Sequence, residues 1–144
     1  MKTSKRQGFS WSPDYRESVD ELRAQLRGFG NKGEEPSSTE LFMLCLSFGF
    51  YSGTKGPLPP RKTDGPRLDY IQPEQMAMMK AVALAEAESS ELLLDEDAVF
   101  DILEEYAAGG LMLLANSLKE ANFQTWIKGK LLEFSRLSTP SNGQ

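Results

Sequence analysis

An apolar run from Ser38 to Phe50 passes directly into Tyr51–Lys62, a stretch of glycines, prolines and cations. The two halves have opposite requirements. The first is apolar on most sides, so as a helix it must sit centrally and bury nearly its whole circumference. The second cannot continue that helix, because Gly53, Gly56, Pro57, Pro59 and Pro60 break it. A core helix that feeds a cationic loop therefore organises the rest of the chain. Ser37 with Glu40 has the spacing of a capping box, and Gly53 is the expected C-terminal stop.

Other helix signals are arranged around this one. Ser12 and Pro13 read as the opening of a first helix, with Tyr15, Val19, Leu22 and Leu26 on one face and Gly28, Gly30 and Gly33 ending it. Arg67–Ile71 reads as an extended piece that packs Leu68 with Tyr70 or Ile71. Pro73 opens a third helix to about Glu88, through Met76, Met79, Val82 and Ala83. Asp95 caps a fourth, with Val99, Ile102, Leu103 and Tyr106 as its apolar stripe. The pair Gly109–Gly110 is expected to kink or divide that helix. A last helix runs from about Ala121 to Leu137, with Phe123, Trp126, Ile127, Leu131 and Phe134 on one face. Leu92–Leu94 forms an apolar staple between the third and fourth helices. No internal repeat or strand-like alternation is present.

The 144 residues suit one domain. The chain has no histidine, which removes His-dependent triads, His bases and His-containing metal sites. Its single cysteine, Cys45, excludes an internal disulfide and thiolate metal clusters. Cys45 lies among Met43, Leu44 and Leu46 and reads as a core residue. No apolar run is long enough for a transmembrane helix, and Met1–Gly8 has no apolar secretory core.

The net charge of −5 conceals a strong asymmetry. Residues 1–80 carry 12 basic and 10 acidic side chains, and residues 81–118 carry nine acidic and no basic ones. Two charged surfaces are expected. The basic loop offers Lys55, Arg61, Lys62 and Arg67 to an anionic partner, with phosphates as natural targets. The acidic segment offers Asp101, Glu104 and Glu105 as a partner face, since Asp101 shares a helical face with the other two. Its dull reading is a solvated helix surface. Met76, Met78 and Met79, which could line an adaptable groove, are more economically read as helix packing.

Two segments resemble a known family. Glu40–Leu58 resembles the stretch of an aromatic, Gly-Phe, Gly, Lys/Arg and Pro-Leu in small proteins associated with bacterial DNA phosphorothioation (Dnd) and related DNA-modification defence loci. Asp101–Leu114 resembles their later Glu-Tyr-x-x-x-Gly helix. The matched positions are Phe48, Gly49, Phe50, Gly53, Lys55, Pro57, Leu58, Glu105, Tyr106 and Gly110. The resemblance implies an accessory component of bacterial antiviral defence and supplies no catalytic residue.

The expectation is an all-α fold: one compact domain of five to six helices with a long Gly/Pro-rich basic loop. Residues 1–12 form a flexible arm on which Phe9 and Trp11 are placed to dock, 13–138 the helical domain, and 139–144 a disordered tail. The chain is read as a non-enzymatic, cytoplasmic accessory protein without cofactor or metal. It would bind a larger protein component of a defence complex and, as a further contact, DNA. Homo-oligomerisation stays open. The alternative is an acidic inhibitor or DNA mimic that blocks a nucleic-acid-binding partner; a carboxylate-dependent nuclease built on Asp101, Glu104 and Glu105 is a third class.

Overall fold

A computed structural model describes residues 3–87, 91, 95–120 and 122–138. Among these residues, five α-helices surround one core: α1 (Val19–Gln25), α2 (Ser38–Ser52), α3 (Pro73–Glu86), α4 (Glu96–Ser117) and α5 (Phe123–Ser138). Short 3-10 turns at Arg16–Ser18, Asn31–Gly33 and Leu68–Tyr70 join them. Among the described residues there is no strand, and Gly8 and Arg67 form an isolated antiparallel bridge. The expected staple at Leu92–Leu94 and the tail at 139–144 lie outside the described residues.

The central helix α2 has the ends its sequence dictates. The Ser37 hydroxyl accepts the Glu40 N–H at 3.1 Å, and Glu40 Oε1 accepts the Ser37 N–H at 2.9 Å. Gly53 closes the helix in the left-handed region at φ 65°, and the Thr54 N–H turns back to the Gly49 carbonyl at 2.8 Å. Pro73 occupies the first turn of α3, and Asp95 caps α4 by accepting the Ala98 N–H at 3.3 Å. In α2, Leu41, Phe42, Cys45, Leu46 and Phe48 are all buried, as its apolar circumference requires.

Three local expectations need correction. The first helix starts later than Ser12–Pro13: residues 13–15 form a turn, a 3-10 turn follows, and α1 begins at Val19. Arg67–Ile71 is not extended throughout but contains the 3-10 turn Leu68–Tyr70, which leaves Tyr70 71% exposed. Gly109 and Gly110 do not divide α4, which runs unbroken from Glu96 to Ser117.

The reason for the last lies across the helix pair. A Cβ on Gly110 would stand 1.7 Å from the Cys45 carbonyl oxygen, and one on Gly109 would stand 2.1 Å from that of Thr54. In the other direction, a Cβ on Gly49 would stand 1.9 Å from the Tyr106 carbonyl oxygen. The backbones of α2 and α4 thus touch where both helices lack side chains. The helix-propensity cost of two adjacent glycines, about 1 kcal/mol each, is offset by a contact no other residue permits.

Around this crossing the aromatic side chains close the core. Phe9 stacks on Phe42 with ring centroids 4.4 Å apart and meets Phe100 edge-on at 5.2 Å. Phe48 meets Phe134 of α5 edge-on at 4.9 Å. The N-terminal segment is therefore part of the core, with Phe9 and Trp11 both buried.

Replacing Gly110 by Ala should destabilise the protein by about 3 kcal/mol or more, the upper range for overpacking against an unyielding backbone. Gly129→Ala on the exposed face of α5, where nothing lies within 4 Å of the new Cβ, should instead stabilise by about 1 kcal/mol. Urea denaturation of the two variants checks the contrast.

Candidate nucleic-acid interface

The N-terminal segment and the loop after α2 are built on each other. Gln7–Phe9 runs antiparallel to Gly65–Leu68. The Phe9 N–H donates to the Pro66 carbonyl, the Gly65 N–H to the Phe9 carbonyl and the Leu68 N–H to the Gln7 carbonyl, each at 2.9 Å. Gly8 is required at this pairing, since a Cβ there would stand 2.7 Å from the Pro66 carbonyl oxygen. The paired segments carry the exposed cations Lys5, Arg61, Lys62 and Arg67. Among the described residues neither Lys5 nor Lys62 has an ion-pair partner. Arg67 Nη2 reaches Gln7 Oε1 at 3.5 Å. Arg61 lies 3.8 Å from Asp97.

Lys55 stands apart from this strip. Its ammonium is 3.2 Å from Glu86 and 5.1 Å from the centre of the Tyr106 ring. Tyr106 is nine residues beyond Asp97 on α4, which is about 13 Å along the axis at 1.5 Å per residue. Of the four expected cations, three share the strip and Lys55 belongs to a second cluster. There the Tyr106 hydroxyl donates to Glu86. That bond, with help from Lys55, holds the Glu86 carboxyl below its ordinary value of 4.5. Burial and then Glu86 push the Tyr106 phenol up to about 12.

The expected acidic face is reorganised by a residue that sequence reasoning missed. Arg6, with a side chain only 3% exposed, inserts into α4. Its Nη1 donates to Glu104 Oε1 at 2.7 Å, its Nη2 bonds Asp101, and its Nε lies 3.4 Å from Asp97. Glu104 is 1% exposed, and its Oε2 accepts the Ser10 N–H at 2.7 Å. It therefore faces inward and is no part of an outward partner surface. The physical reason is that a carboxylate in a helix interface needs a cation and donors, and the N-terminal segment brings both. Burial still pushes the Glu104 carboxyl up, against the pull of the Ser10 N–H and of Arg6. Asp101 remains about one-third exposed, and Glu105 is half-buried, its carbonyl accepting the Gly56 N–H at 2.8 Å. The signal for Arg6 was confined to one basic residue before Phe9 and Trp11; its partners lie more than 90 positions away.

The remaining candidates have simpler places. Cys45 is fully buried, which pushes its thiol well above the ordinary range. Met79 is buried against the core, whereas Met78 is 61% exposed at an apolar groove of about 340 Å3 between α2 and α3. Among the described residues no group of three or more His, Cys, Asp or Glu side chains is placed to hold a metal ion. No helix among them is long and apolar enough to cross a membrane.

Residues 14–137 match the family model described as DNA sulphur modification system-associated protein 4. The chain belongs to this family. No curated protein and no solved structure matches it. Four of the positions that carry the family resemblance meet in space: Gly49 rests on Tyr106, Phe50 meets the Tyr106 ring edge-on, and Lys55 lies over it.

The Glu86–Tyr106 bond should leave a two-sided pH signature. The lowered Glu86 value contributes stability that is full above about pH 5 and is lost as pH falls through the folded value. The raised Tyr106 value contributes stability present below pH 10 that is lost as pH rises through about 12. Tyr106→Phe should flatten the melting-temperature profile at both ends and lower its plateau, as circular-dichroism melts from pH 3 to 12 would register.

Proposed function

We propose that this protein is a non-catalytic binding component of a bacterial DNA sulphur-modification defence system. It works in the cytoplasm, presents the cationic strip to the phosphate backbone of DNA, and docks on a larger protein component of the system. The observation that carries this reading is the set of exposed cations on the paired segments 5–10 and 61–67, of which Lys5 and Lys62 lack an ion-pair partner among the described residues. Cations left unneutralised on an ordered backbone suit sequence-independent phosphate contact. The family's association with a DNA modification system supports the same target and the larger partner. A non-catalytic role is supported by where reactive groups are committed. Cys45 is sealed in the core, and Asp97, Asp101 and Glu104 converge on Arg6. That convergence also weighs against the acidic inhibitor reading, because the innermost carboxylate is spent inside the protein.

The test is charge reversal at cations that make no ion pair among the described residues. Lys5→Glu, Lys62→Glu and Arg67→Glu together should abolish binding to a 20-base-pair duplex, with or without phosphorothioate linkages, while the helical circular-dichroism signal persists. Single neutralisations should lower the slope of log K against log salt by about 0.9 for each phosphate that the protein no longer neutralises. Arg61 is spared because its reversal would set a carboxylate against Asp97. Wild-type binding by the triple variant would refute the DNA interface.

A further inference from the structure

The conformation of the cationic loop is fixed from inside the helical core. Glu104, buried on α4, holds the Ser10 N–H at 2.7 Å. Ser10 is itself 4% exposed, and its hydroxyl oxygen accepts two backbone donors of the loop, the Lys62 N–H at 2.9 Å and the Thr63 N–H at 3.0 Å. Both acceptor positions of that hydroxyl are thus used on consecutive amides. Thr63 has φ 53°, a left-handed conformation that a β-branched residue adopts only when its surroundings impose it. One residue further, the Trp11 N–H donates to Asp64 Oδ1 at 2.9 Å, and Asp64 Oδ2 is 2.5 Å from Arg16 Nε. Arg6 completes the arrangement by pinning the same segment to Asp97, Asp101 and Glu104.

We infer that Glu104, Arg6 and Ser10 are positioning residues for the anion-binding strip: a buried carboxylate on α4 sets the path of residues 61–64 through a single serine, and thereby sets affinity for a partner that none of the three touches. This rests on the reading of the strip as the DNA interface. The double acceptance by Ser10 falls on the amides of Lys62 and Thr63, inside the strip itself, and so ties the geometry of the buried cluster to that of the cations. Those two bonds hold a loop whose cations would otherwise be ordered anew at each binding event, at an entropic cost to affinity.

The experiment combines backbone amide exchange, urea denaturation and DNA binding on the full chain. Ser10→Ala removes both acceptances. The expected result is amide exchange at Lys62 and Thr63 faster by about tenfold, unchanged exchange in α2 and α4, and binding of the 20-base-pair duplex weakened about tenfold, the equivalent of losing roughly one net hydrogen bond. Glu104→Gln keeps an acceptor for Ser10 but loses the charge that holds Arg6. It should speed exchange along residues 6–10 as well as at Lys62 and Thr63. If Ser10→Ala does not fold, Ser10→Cys, which puts a larger but much weaker acceptor at the same position, is read in its place. Unchanged exchange at Lys62 and Thr63 would overturn the inference. Faster exchange with wild-type affinity would overturn it too and leave the interface reading intact, since that reading is judged by the charge-reversal variant alone.

Discussion

The backbone contact between α2 and α4 is the constraint from which the other features follow. Where Gly49, Gly109 and Gly110 meet opposing carbonyls, the helices lie closer than any side chain would allow. Close approach places the Thr54–Gly56 turn directly on α4, where the Gly56 N–H bonds the Glu105 carbonyl. The chain leaving α2 is thereby aimed along α4. The same approach sets Phe50 edge-on to Tyr106 and brings Lys55 over the Tyr106 ring. A wider crossing would separate all of these groups.

Charge is handled by burial of one arginine among three carboxylates. A lone guanidinium cannot neutralise Asp97, Asp101 and Glu104, and the surplus is managed by graded exposure. Glu104 is buried and doubly hydrogen-bonded, whereas Asp97 and Asp101 are each about one-third exposed, and Arg61 adds a second cation near Asp97. Such a cluster is weak evidence for net stability, because desolvation offsets much of the Coulombic gain. Its stronger consequence is geometric. Only one register of the N-terminal segment brings Arg6 to the carboxylates, Phe9 to Phe42 and Ser10 to Glu104 at once.

What the sequence disclosed and what it hid divide by range. The caps at Ser37, Gly53, Pro73 and Asp95 were readable because each is set within about four residues, as were the apolar stripes of α3, α4 and α5. The glycine pair at 109–110 misled because local propensity favours a break there, and the compensating contact is with Cys45 and Thr54, far away in the chain. The acidic segment showed its charge but not its direction. Nothing near Glu104 in sequence distinguishes it from Glu105, yet one is fully buried and the other only half-buried. Of the candidate cations, Arg61, Lys62 and Arg67 came together because the N-terminal segment pairs with their loop, and that pairing has no local signature.

The placement of the strip's cations on irregular backbone has a physical logic. The two central helices leave little room for such a surface: α2 is buried nearly all round, and α4 is buried along most of its length and carries the acidic cluster. Beside them the cations of the strip sit on connecting segments, where each ordered residue costs about 1–2 kcal/mol in backbone entropy. Pairing the loop with the N-terminal segment meets part of that cost with backbone hydrogen bonds, and burying Phe9 and Trp11 anchors the pair with apolar area. The core thus does two jobs with one set of contacts. The aromatic residues that complete the helical bundle also fix the strand-like pair that carries the charge, so a change that loosens Phe9 must loosen Lys62 with it.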